Sequence, residues 1–97
     1  MITLDLLKAN WPEILRIAAG YGADRIRVFG SVARGEATAQ SDLDLLVRLA
    51  PGRTLLDLIA IKQDVEDLLG YPVDVVTEAS LSPHIRDQIL LEARPLF

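Results

Sequence analysis

The chain has no cysteine and a single histidine. Disulfide scaffolds, thiol catalysis and zinc sites built on cysteine or paired histidine are therefore excluded. Basic residues are in deficit: 10 Lys and Arg against 14 Asp and Glu, a formal charge of −4. Such a surface lacks the basic stripe of a typical nucleic-acid binder, so no direct nucleic-acid binding is expected. No apolar run approaches the roughly 18 residues of a membrane span. Met1-Ile2-Thr3-Leu4-Asp5 has no basic flank and no small-residue cleavage site, which argues against a signal peptide. No repeat or low-complexity tract is present. What remains is a cytoplasmic reading, with 51% hydrophobic and 25% charged residues in 97, a globular composition with room for one core over residues 1–97.

Helical and strand patterns alternate. Residues 3–20 carry Leu4, Leu7, Trp11, Ile14, Leu15 and Ala18 at helical spacing. Asn10 before Trp11-Pro12-Glu13 has the form of a cap followed by first-turn proline, which divides this stretch into two pieces. Residues 25–30 predict a short strand, followed by a helical stretch from Val32 to Arg34. Residues 42–49 are the clearest strand, with Leu43, Leu45, Val47 and Leu49 on one face and Asp42, Asp44, Leu46 and Arg48 on the other. Residues 54–69 predict an amphipathic helix capped by Thr54, burying Leu55, Leu58, Ile61, Val65 and Leu68 and ended by Gly70. A third strand covers 72–77, and Ser82-Pro83 opens a last helix to about Ala93. Its lone histidine, His84, is given no role. Leu90, Leu91, Leu96 and Phe97 either close the core or face a partner. The order predicts an α/β (α+β) fold: a small mixed sheet with helices packed on one face.

Three acids fall on strands, where acids are rare. Asp42 and Asp44, two apart, are expected on one sheet face, about 6–7 Å apart along the strand. Two such carboxylates repel unless one is protonated or a cation lies between them, and a hard divalent ion with oxygen ligands suits them. Asp74, on another strand, can join the cluster. Upstream, Gly30-Ser31 leaves a strand and enters a helical turn, so that backbone N–H groups and a hydroxyl face an anion. Arg34, one turn on, can reach that anion. A phosphate cradle beside a metal-binding acid pair is apparatus for phosphoryl transfer.

Gly-Ser, ten residues, then Asp-x-Asp resembles the signature of the polymerase-beta-like nucleotidyltransferase superfamily. Gly30-Ser31-Val32-Ala33-Arg34-Gly35-Glu36 with Ser41-Asp42-Leu43-Asp44-Leu45-Leu46-Val47 is similar to its small bacterial and archaeal branch, the minimal nucleotidyltransferases (MNT). The resemblance implies that Asp42, Asp44 and Asp74 bind two magnesium ions, with Asp74 helping to deprotonate the incoming hydroxyl. Gly30 and Ser31 would hold the β and γ phosphates of ATP, assisted by Arg34. It implies attack of a hydroxyl on the α-phosphorus with release of pyrophosphate. It also implies a helical HEPN-type toxin as partner in a hetero-oligomer, with the chain acting as antitoxin by transferring AMP to a tyrosine. Two rivals stand beside this reading: a non-catalytic module that neutralises its partner by steric cover, and a nucleotidyltransferase acting on a small molecule.

Overall fold

In the computed structural model, which describes residues 1–96, the chain runs α1 (Leu4–Gly20), β1 (Ala23–Phe29), α2 (Gly30–Ala33), β2 (Leu43–Leu49), α3 (Leu55–Leu69), β3 (Val73–Val76) and α4 (Pro83–Glu92). A 3-10 turn at Glu78–Ser80 precedes α4. The strands form one mixed sheet in the order β1-β2-β3, with β2 antiparallel to β1 and parallel to β3. α3 is the crossover that a parallel neighbour requires.

β2 is central and alternates as its sequence predicts. Leu43, Leu45 and Val47 enter the main core with Ile26 and Val28 of β1, under Leu7, Trp11, Ile14 and Ala18 of α1 and Ile61 and Val65 of α3. The two long helices thus share one sheet face. On the other face, Phe29, Leu46 and Leu81 form a smaller cluster covered by Ile89, Leu90 and Ala93 around α4. That cover leaves both ends of this second face open.

Two details of the long helices differ from the sequence expectation. α1 is one continuous helix, capped by Thr3, with Pro12 in its interior. A proline there removes one hydrogen bond and costs about 3 kcal/mol. Leu7, Trp11 and Ile14 lie on one buried stripe and contribute about 1.5–3 kcal/mol each, which outweighs that cost. Asn10 caps nothing; its side-chain amide donates to the Leu6 carbonyl at 2.9 Å. In α3, the Thr54 cap is present and is reinforced by Asp57, whose carboxylate accepts from the Thr54 N–H. However, Leu55 is 68% exposed and Leu68 is also exposed. The packed stripe is Leu58, Ile61, Val65 and Leu69, because the sheet lies under the middle of the helix and Leu69 follows Val65 by four residues.

At the C-terminal end, Leu90 and Leu96 pack inward while Leu91 is 90% exposed. The expectation for Phe97 lies outside the described residues. No helix among the described residues is long and apolar enough to cross a membrane.

Candidate active site

The site forms at the end of the sheet where β1 finishes and β2 and β3 begin. Asp44 of β2 pairs in register with Phe29 of β1 on one side and Asp74 of β3 on the other. Paired residues share a sheet face, and adjacent strands are about 4.8 Å apart, so the two carboxylates stand side by side. Asp74 is exposed and Asp44 is half-buried. Asp42 is exposed and precedes β2, which starts at Leu43. The expected strand pairing of Asp42 with Asp44 therefore gives way to a loop residue beside a strand residue. The ladder ends at Leu43, whose N–H donates to the Pro72 carbonyl at 3.0 Å, leaving no strand partner for residue 42.

Asp44 carries the electrostatic strain of the site. Its carboxyl is pushed up to about 6, first by burial and then by the charges of Asp74, Asp42 and Glu92, with Arg34 opposing. A carboxylate so placed favours a proton or a cation.

Gly30 is the hinge between this acid and the cradle. It opens α2 with φ +78, and a Cβ there would lie 2.2 Å from Oδ2 of Asp44. Both the backbone conformation and the approach of the carboxylate require glycine. Ser31 follows, half-buried. Arg34 caps the C-terminal end of α2.

Glu92 is the residue that sequence reading missed. Its Oε1 accepts from the Gly30 N–H and, at 2.8 Å, from Nη1 of Arg34. Its side chain is only 15% exposed. Arg34 also reaches Glu36 at 3.2 Å, and these two acids hold its guanidinium above the ordinary arginine range. The placement of Glu92 depends on the residues after α4. Arg94 makes an antiparallel bridge with Val28 through hydrogen bonds of 2.8 and 3.0 Å, and its Nη2 donates to the Ala33 carbonyl at 3.1 Å. This tie along the outer edge of β1 sets the end of α4 over α2. No periodicity or local motif contains that information.

All six expected site residues thus gather at one end of the molecule. Asp44 and Asp74 are in direct register, Gly30 abuts Asp44, and Arg34 reaches Asp44 through its charge. Asp42 flanks them, with its charge acting on Asp44. Among the described residues, no three Asp, Glu, His or Cys side chains converge as a metal-holding group. The donor set of carboxylates crowding a half-buried acid nevertheless fits a hard divalent cation.

Comparison with known proteins agrees with this geometry. Residues 11–96 match the family model described as a nucleotidyltransferase domain. The protein adenylyltransferase MntA of Thermococcus cleftensis is 42% identical over 96 residues, spanning 95% of this chain and 94% of that protein. A solved protein provisionally named a minimal nucleotidyltransferase is 52% identical, with a TM-score of 0.87 over 97% of this chain and 96% of that one. A chain from the complex of tri-AMPylated Shewanella oneidensis HEPN toxin with MNT antitoxin has a TM-score of 0.68 at 21% identity, covering 98% of this chain and 72% of that one. At that identity the likeness is one of fold. With its Gly30-Ser31 turn set against Asp44 and Asp74, the chain belongs to the nucleotidyltransferase domain family, in its minimal branch.

Proposed function

We propose that the chain is a magnesium-dependent protein adenylyltransferase, transferring AMP from ATP to a hydroxyl of a helical HEPN-type toxin and thereby acting as its antitoxin. The observation that carries this is the register of Asp44 with Asp74 beside Gly30, which puts two carboxylates and a glycine-led turn at one sheet end. The name of the Thermococcus cleftensis relative and the composition of the Shewanella oneidensis complex support it.

Asp42, Asp44 and Asp74 would hold magnesium. When bound, the metal offsets the charge of these acids and of a triphosphate. The Ser31 hydroxyl and the Gly30 N–H would donate to the β and γ phosphates, and Arg34 would add a fixed positive charge. Glu92 now takes the Gly30 N–H and one arm of Arg34, so a phosphate replaces one carboxylate oxygen with another anion of similar demand. The acceptor hydroxyl, tyrosine in this reading, attacks the α-phosphorus. Its proton passes to Asp74, the exposed member of the pair, as the bond to pyrophosphate breaks.

The test is a labelling experiment. The chain is incubated with magnesium, a purified HEPN-type toxin, and ATP labelled at either the α or the γ phosphate. Label from the α position should join the partner, whereas γ label should leave as pyrophosphate. Transfer of γ label would make the reaction a phosphorylation and refute the proposal.

A further inference from the structure

The arginines of this acidic chain are unevenly placed. Arg25 and Arg27 of β1 and Arg48 of β2 lie on the same sheet face as Asp44 and Asp74, at the opposite end of the strands. They line a cleft of about 540 Å³ together with Thr77, Glu78 and Ala79. The rise per residue puts its near wall, Arg27, about 7 Å and its far wall, Arg48, about 13 Å along the strands from the acid end. The Phe29, Leu46 and Leu81 cluster intervenes.

The cost of this arrangement is visible. Arg25 and Arg48 are direct cross-strand partners, and like charges in that position destabilise a sheet. Arg48 is relieved by Asp24, with contacts of 2.8 and 3.2 Å. Arg27 is relieved by Glu78 at 2.8 Å. Arg25 has no ion-pair partner among the described residues. Glu78 alone serves several cations: Arg27 holds its carboxyl below the ordinary range, with Arg25 and Arg86 adding to the effect.

Hydrogen bonding gives an independent sign. Only two buried side-chain polar atoms among the described residues lack a partner, Nε of Arg27 and Nε of Arg86. Both belong to arginines around Glu78. The Arg27 side chain is 8% exposed, and an orphaned donor at such depth costs about 1–3 kcal/mol or more. A guanidinium fork with an unused Nε–H suits a further carboxylate oxygen, since Glu78 engages Arg27 through Nη2 and one oxygen alone.

We propose that this cleft receives a carboxylate from an acidic segment of the protein that accepts the nucleotide. The proposal rests on the protein-acceptor reading above. It gives the acceptor an anchor on the face that carries the reacting acids, at a distance of a few residues of extended chain. Charge complementarity selects the occupant, since three arginines line the cleft against Glu78 and the neighbouring Asp24, which leaves Arg25 without an ion-pair partner among the described residues.

The test titrates the isotope-labelled full chain with a hexaglutamate peptide and follows arginine Nε–H resonances by NMR, without nucleotide. The Arg27 Nε–H signal should move and saturate, while a hexaserine peptide should leave it in place. Arg25→Gln with Arg48→Gln, both at exposed positions, should weaken binding about tenfold or more, which corresponds to about 1.4 kcal/mol, with the backbone amide spectrum otherwise preserved. An unmoved Arg27 signal, or equal binding by the double variant, would overturn the proposal. So would inorganic phosphate saturating the same signal at lower concentration than the peptide, which would make the cleft a phosphate site. Because nucleotide is absent, failure here leaves AMP transfer untouched, and failure of transfer leaves this titration unchanged.

Discussion

Replacing Asp44 by Asn should make the protein more stable in the absence of metal while removing its activity. The folded state holds the Asp44 carboxyl at about 6, against an ordinary 3.8. A shift of about two units is at most about 3 kcal/mol of penalty on the charged form. Asp44 is half-buried, and solvent screening reduces that to about 1 kcal/mol. For a domain near this size, that is about 4–8 °C in melting temperature. The sign follows from proton linkage. Between about pH 4 and pH 6 the native state binds more protons at Asp44 than the unfolded chain does, so wild-type stability falls as pH rises through that window. The gain from Asn should be complete above about pH 7, shrink through pH 6 and vanish near pH 4. Thermal denaturation in EDTA at several pH values measures it. A variant that is no more stable at pH 7.5, or equally stabilised at pH 4, would refute the placement of Asp44 among its like-charged neighbours.

Gly30→Ala should destabilise by about 1–3 kcal/mol from the left-handed backbone alone and should also abolish turnover, because its methyl would displace the Asp44 carboxylate; urea unfolding and a transfer assay check the two parts. Asp74→Asn should leave nucleotide affinity within a few-fold by calorimetry while turnover falls by about 100-fold or more, the usual span of a proton-transfer group. Thr54→Ala removes the cap of α3 and should cost about 1 kcal/mol in urea unfolding with transfer unchanged, since α3 packs on the face opposite the site.

Local chemistry explains what the sequence made legible. Thr54, Gly70, Ser82-Pro83 and the alternation of Leu43, Leu45 and Val47 each act within a few residues, and each element appears where those signals place it. Asp44 and Asp74 were legible for a related reason: acids on strands conflict with ordinary propensity and so stand out, whereas Gly30-Ser31, weak alone because glycine ends many strands, stood out by its spacing to Asp42 and Asp44. The differences arise where distant packing decides. Pro12 stays inside α1 because Leu7, Trp11 and Ile14 are buried together. Leu55 is exposed because the stripe that packs on the core runs through Leu58, Ile61, Val65 and Leu69 and leaves it out. Asp42 leaves the strand because its neighbours run out of pairing partners. Glu92, an ordinary helical glutamate in the sequence, reaches the site only through the Arg94–Val28 bridge, a contact 66 residues apart in the chain by those two numbers.

The most direct test of the central claim is the mass of the HEPN-type partner after incubation with this protein, ATP and magnesium, compared with the Asp44→Asn protein. The account predicts AMP on a partner hydroxyl with the wild type, none with Asp44→Asn, and relief of toxicity only where AMP is found. A partner that stays unmodified yet is neutralised equally by both proteins would contradict it, leaving steric cover as the mechanism.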